Sequence, residues 1–213
     1  MGRMADDFYL IAHSDRSGRC RLTQRAVGLG LAAGLLAELV LAGQVRVPAG
    51  RLVPGAAERP PLDRAVRDLA DGVATAPGAD LSAWLSRVSP EAAERARYRL
   101  VLDGVLTRVT SRAVLGRRRV VWVPVDPNQA LWPSVRLAKH LSGGLELTIE
   151  DQVLTALVDV TGLLDTVLWC KPDHLPGFPR AAAVRRELPG DLSALIAYTD
   201  AAVGHGVLAG RGT

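Results

Sequence analysis

The apolar run from Val27 to Ala42 carries Glu38 as its only charge, and Gly43 follows where a helix can end on a left-handed residue. This pattern predicts a helix buried on nearly every side. Gly28, Gly30 and Gly34 each cost about 1 kcal/mol relative to alanine inside a helix, so they predict neighbours pressed close against its backbone. A lipid-spanning helix needs about 18 to 20 apolar residues without a charge, so this run is expected at the centre of a soluble fold. A lone carboxylate on such a helix is expected to pair with an arginine or to sit at the helix edge rather than to catalyse.

The other elements follow from shorter patterns. Phe8 to Ala12 reads as a short strand closed by a turn at Ser14 to Gly18, and Gln44 to Val47 with Arg51 to Val53 as a small hairpin. After a proline-rich break, Pro54 to Pro61, apolar positions Leu62, Ala65, Val66, Leu69 and Val73 recur at a helical period. Leu81 to Val88 predicts a short helix. Ser89 as cap and Pro90 in the first turn predict a second one running to Asp103. Two β-rich runs, near Arg108 to Leu115 and Arg119 to Val125, flank a tip of Gly116, Arg117 and Arg118 and predict a hairpin. Leu131 to Leu141 is expected to be helical. Thr148 caps a long helix expected over Ile149 to Trp169, and helices over Ala181 to Leu188 and Asp191 to Val203 close the chain. With no repeat or composition shift, the expectation is a single, mainly helical domain over residues 1–213, built around a buried central helix with short β-hairpins.

Composition agrees with a packed domain, since 48% of the 213 residues are hydrophobic, enough for a sizeable core. Cys20 and Cys170 are the only cysteines and are far apart, which fits a reducing compartment, and the first residues lack the apolar core of a secretion signal. A cytoplasmic protein is expected. Lys139 and Lys171 are the only lysines, so nearly all of the positive charge is arginine, whose planar fork suits phosphate oxygens.

Motifs for catalysis are missing. Gly28, Gly30 and Ala33 fit the spacing of a dinucleotide fingerprint, but a polar, basic segment precedes them and the first acid after Glu38 is Glu58. The four histidines are scattered. Cys170, Asp173 and His174 are close in sequence but lack a second ligand pair, so no metal and no cofactor is expected. Nothing argues for an enzyme. A basic hairpin after a helix, with Arg108, Arg112 and Arg117 to Arg119, leaves open a winged-helix nucleic-acid binder.

Taken together, Phe8 to Gly18, the helix Gly34-Leu-Leu-Ala-Glu-Leu-Val-Leu-Ala-Gly-Gln-Val45 and Arg97-Tyr-Arg-Leu-Val-Leu-Asp-Gly-Val-Leu106 resemble the Golgi phosphoprotein 3 family. Its members are peripheral adaptors that recognise phosphatidylinositol 4-phosphate. The resemblance implies a headgroup pocket around the central helix and a later helix. Of the family's pocket positions, the tryptophan falls on Thr23, the helix arginine on Ala32, and the later arginine pair on Glu94 and Arg97. Charge clustering adds Arg19, Arg21, Arg25, Arg95 and Arg99 as candidates for an anionic-headgroup surface. The resemblance also implies self-association through residues 107–128, where Val120, Val121, Trp122 and Val123 form an apolar strand. The expected protein is a non-enzymatic binder of anionic phospholipid headgroups on the inner face of a membrane.

Overall fold

The computed structural model describes residues 3–57, 59–61, 63–112, 118–169 and 177–209, without the side chains of 65, 111, 112, 118, 119 and 205–209. It is mainly helical with short antiparallel strand pairs, as the sequence pattern predicts. Helix α2, Gln24–Leu41, is the central element, in contact with α1 (Met4–Ala12), α3 (Arg64–Thr75), α4 (Leu81–Leu102), α6 (Ile149–Val160) and α9 (Gly190–Ala209). By length and composition α2 would be able to cross a membrane. Instead every residue from Val27 to Ala37 is buried against these neighbours.

The three glycines of α2 are where those neighbours come closest. A Cβ on Gly28 would lie 2.5 Å from the Ser89 carbonyl oxygen of α4, one on Gly30 2.4 Å from the Phe8 ring of α1, and one on Gly34 3.1 Å from the Ala5 Cα. The helix-propensity cost of these glycines is therefore offset by close packing against α1 and α4. Gly43, with φ +68°, ends the helix as expected.

Three elements differ from their predicted form. Phe8 to Ala12 is the end of helix α1, whose Met4, Ala5, Phe8, Tyr9, Ile11 and Ala12 are buried at spacings of three and four residues. The two helices predicted over Leu81 to Asp103 are the single helix α4. Pro90 removes one backbone donor, and the Ser86 carbonyl, which would have received it, accepts instead from the Ser89 hydroxyl at 3.2 Å. One continuous stripe of Leu81, Leu85, Val88, Ala92, Ala96 and Leu100 keeps the helix on the core through the proline. The long helix predicted from Ile149 stops at Val160. There Gly162 takes φ +76° and the Leu163 N–H bonds the Val158 carbonyl at 2.9 Å, before α7, Leu164–Leu168, restarts.

Strands β1 (Val45–Arg46) and β2 (Arg51–Pro54) form the expected small hairpin, extended by β3 (Ala79–Asp80). Strands β4 (Leu106–Arg112) and β5 (Arg118–Pro124) form the second, pairing Arg108 with Trp122 and Thr110 with Val120. Helices α5 (Pro127–Gly143) and α8 (Gly177–Glu187) complete the architecture. Leu62, Cys170, Asp173, His174 and Arg117 lie outside the described residues.

Candidate functional site

Helix α4 carries Arg95, Arg97 and Arg99 on successive directions of its circumference, and the fold gives each a different setting. Arg99 lies four residues after Arg95 and three after Ala96, on the buried stripe, and its side chain is 3% exposed. Its guanidinium donates to Asp6 (2.8 Å), Glu38 (2.7 and 3.2 Å) and Asp63 (3.2 Å). Glu38 also accepts from the Ala5 N–H at 2.9 Å, so it meets a free donor in the first turn of α1. Glu38 is thus paired with an arginine, as expected for a lone carboxylate on an apolar helix. Burial and the nearby Glu38 raise the Asp6 carboxyl to about 7, although Arg99 pulls it down. The expectation that Arg99 binds a headgroup is corrected by this geometry. A guanidinium sealed among three carboxylates clamps α1, α2 and α4 together and presents no surface to an external anion.

Arg95 points to the α3 side, 3.6 Å from Asp68 and 3.2 Å from Glu91. It does not share a face with Arg97. Arg97, between them in sequence, pairs with Glu94 and reaches toward the hairpin, its Cζ 5.2 Å from the centroid of the Trp122 ring.

The cleft that receives Arg97 encloses about 390 Å³ and is lined by Tyr9 of α1 and His13 just past its end, Arg19 and Cys20 of the following loop, Gln24 of α2, and the strand Val120 to Trp122. The loop owes its place to Gly18. With φ +63°, a Cβ there would lie 1.9 Å from the Trp122 carbonyl oxygen, so strand β5 rests directly on the turn and walls the cleft. The rings of Tyr9 and His13 stack with centroids 4.0 Å apart and planes at 17°. His13 Nδ1 lies 2.8 Å from the Tyr9 carbonyl oxygen, which only accepts, so Nδ1 carries the hydrogen. Burial lowers the His13 pKa, and Arg97 and Arg21 press it down further. Burial raises the Tyr9 phenol to about 12, against the pull of Arg97.

The remaining arginine candidates surround this cleft unequally. Arg19 is exposed, and its guanidinium meets no carboxylate among the described residues. Arg21 is 3.7 Å from Asp15 and close enough to act on His13. Arg25 is exposed but donates to the Ala202 carbonyl of α9 at 3.4 Å. Thr23, where the family's tryptophan would fall, caps α2 by accepting from the Ala26 N–H at 3.2 Å, and Ala32 is fully buried in the core. The arginine cleft thus keeps Arg97 and Arg19 together, with Arg21 at its border.

On the hairpin, Val120 is 41% exposed while Val121, Trp122 and Val123 are partly buried. Val109, 42% exposed, pairs with Val121 and lies on the opposite face of the ribbon from Val120. The exposed apolar strand expected from the sequence is therefore split between two faces, and Trp122 packs toward Arg97. Of the arginines behind the nucleic-acid reading, only Arg108 has a described side chain.

Tyr9, His13 and Gln24 are cleft residues that the sequence reading missed. Tyr9 and His13 stand four apart, the helical spacing that brings two side chains into contact one turn apart, whereas the strand expected there ended at Ala12 and left His13 out. No curated protein matches the sequence. The family model for Golgi phosphoprotein 3 (GPP34) matches residues 4–200, nearly the whole chain and both walls of the cleft, and the protein belongs to the Golgi phosphoprotein 3 family.

Proposed function

We propose that this chain is a non-enzymatic peripheral membrane protein that binds anionic phospholipid headgroups, of the phosphatidylinositol 4-phosphate type, from the cytoplasmic side. The observation that carries the reading is the cleft itself, in which Arg97 and Arg19 converge among polar and aromatic walls. A phosphate there meets guanidinium forks rather than a single point charge. The exposed Arg21 at its border adds attraction worth about 1 kcal/mol near an anionic surface. Thr23 and Ala32 depart from the family's pocket, so Arg97, Arg19 and the aromatic walls carry the recognition in this reading.

Liposome co-sedimentation tests it, comparing neutral vesicles, vesicles with a plain anionic lipid, and vesicles with phosphatidylinositol 4-phosphate at matched charge. Pelleting on the inositide vesicles that persists from low to physiological salt supports a specific pocket. Equal, salt-sensitive pelleting on both charged vesicles reduces the site to a basic surface. No pelleting overturns the proposal. Self-association through residues 107–128 belongs to the same reading, supported by Val120 and Val109 exposed on the ribbon. A mass from light scattering that stays at one chain across concentrations would contradict it.

A further inference from the structure

His13 sits in the arginine cleft with one ring nitrogen committed and the other free. Nδ1 donates to the Tyr9 carbonyl of α1 at 2.8 Å, and the ring is held flat against Tyr9. Nε2 has no hydrogen-bond partner among the described residues, and His13 lines the cleft that holds Arg97 and Arg19. With the Nδ1 hydrogen fixed, a neutral ring offers the cleft a bare lone pair at Nε2. An anion seated on Arg97 would meet that lone pair as a second acceptor. Protonation turns the same nitrogen into a donor.

From this geometry we infer that His13 is a proton-coupled ligand of the cleft: a bound tetrahedral oxyanion, phosphate or phosphomonoester, takes up one proton on His13 Nε2. The inference rests on the anion-binding reading of the cleft and adds its pH dependence. The charged groups around the ring favour such coupling. Arg97 from α4, itself paired with Glu94, and Arg21 from the loop, beside Asp15, both oppose a proton on the empty site. Arg19 and the Cys20 thiol border the same space, and the Tyr9 phenol stays neutral. Gln24 is uncharged and Arg25 is turned to α9. An anion between Arg97 and His13 offsets the positive field and replaces it with an acceptor. By linkage, whatever raises the proton affinity of His13 on binding makes binding tighter as pH falls.

The test is the NMR titration of the His13 ring C–H, assigned by its loss in His13→Asn, in the full-length protein with and without sulfate. Sulfate serves because it gains no proton of its own near neutral pH. The expected result is a rise of about one unit in the His13 pKa at saturating sulfate, the shift that corresponds to a tenfold tighter binding of the protonated form. His13→Asn keeps a donor for the Tyr9 carbonyl but has no Nε2, and His13→Gln keeps a donor near Nε2 that does not titrate. Co-sedimentation with phosphatidylinositol 4-phosphate vesicles should strengthen by about tenfold in all as pH falls through the His13 titration in the wild type, about threefold over its steepest unit, and lose that His13-dependent part in both variants. Sulfate response without vesicle response assigns the site to free anions, and both together assign it to the headgroup as well. Vesicle binding with a His13 pKa that does not move, or a pH dependence unchanged in His13→Asn, overturns the inference and leaves headgroup binding standing. Binding to neither probe overturns both.

Discussion

Replacing Arg99 with methionine keeps a long side chain in the core but removes the guanidinium that Asp6, Glu38 and Asp63 share. At 3% exposure, water cannot take over the lost charge. Breaking a buried ion pair from one side costs about 3–5 kcal/mol, because the partner charges stay behind unpaired. Asp6 keeps Arg3 at 3.5 Å and Asp63 is partly exposed, so the loss falls chiefly on Glu38 and the lower half of that range is expected. A domain of ordinary stability has about 5–15 kcal/mol in total, and the variant would lose a large part of it. Urea unfolding at neutral pH, followed by circular dichroism and extrapolated to water, measures the difference. Arg99→Met with Glu38→Gln should recover part of the loss, because one buried charge leaves with the cation. The deficit should also narrow in acid, where carboxylates freed from Arg99 take up protons in the folded state. An unfolding midpoint equal to that of the wild type would refute the structural role of Arg99 and return it to the candidates for ligand binding.

Two further perturbations follow from the same structure. The Asp6 carboxyl is raised from 3.8 to about 7, mainly by burial and then by Glu38 against the pull of Arg99, so the folded state holds this proton more tightly than the unfolded one. Its contribution is fully present below pH 3.8 and is lost as pH rises through about 7, on the order of 4 kcal/mol from this site alone. Unfolding free energies measured across that window should fall with rising pH, and Asp6→Asn should flatten the slope; a slope unchanged by the substitution would contradict the assignment. Gly18→Ala adds a Cβ 1.9 Å from the Trp122 carbonyl at φ +63°, and should cost about 1–3 kcal/mol while moving β5 away from Arg97. Tryptophan fluorescence and thermal unfolding report the two effects, and an unperturbed spectrum with an unchanged midpoint would show that the turn does not hold the hairpin.

The sequence makes the centre of the fold legible because two independent signals agree there. An apolar run marks α2 as buried, and its glycines are costly enough that only the close approaches of Phe8, Ala5 and Ser89 account for them. Helix α1 is misread because a run as short as Phe8 to Ala12 fits a strand and a buried helix equally well, and the extension to Met4 and Ala5 decides it. Pro90 reads as a helix start because its cost in an interior is local, whereas the stripe that overrides it runs over the whole of α4. At the site, charge clustering collected Arg95, Arg97 and Arg99 together although residues two apart on a helix point in nearly opposite directions. The period of α4 already places Arg99 in line with Ala92 and Ala96, so its burial is readable once the helix is drawn as one piece. The wall contributed by β5 is not readable, since it depends on Gly18 meeting a strand more than one hundred residues away.

Arg97 separates the proposed headgroup cleft from the structural arginine two residues along the helix. The most direct measurement is therefore the affinity of wild type and Arg97→Gln for phosphatidylinositol 4-phosphate vesicles at physiological salt, with unfolding midpoints recorded for both. Loss of a hydrogen-bonded, charge-assisted contact predicts a weakening of about tenfold or more in the variant, with the fold retained, because Arg97 is partly exposed and its ion pair with Glu94 lies on the surface. Equal affinity in the two proteins, with equal midpoints, would contradict the account and move the search for the function away from this cleft.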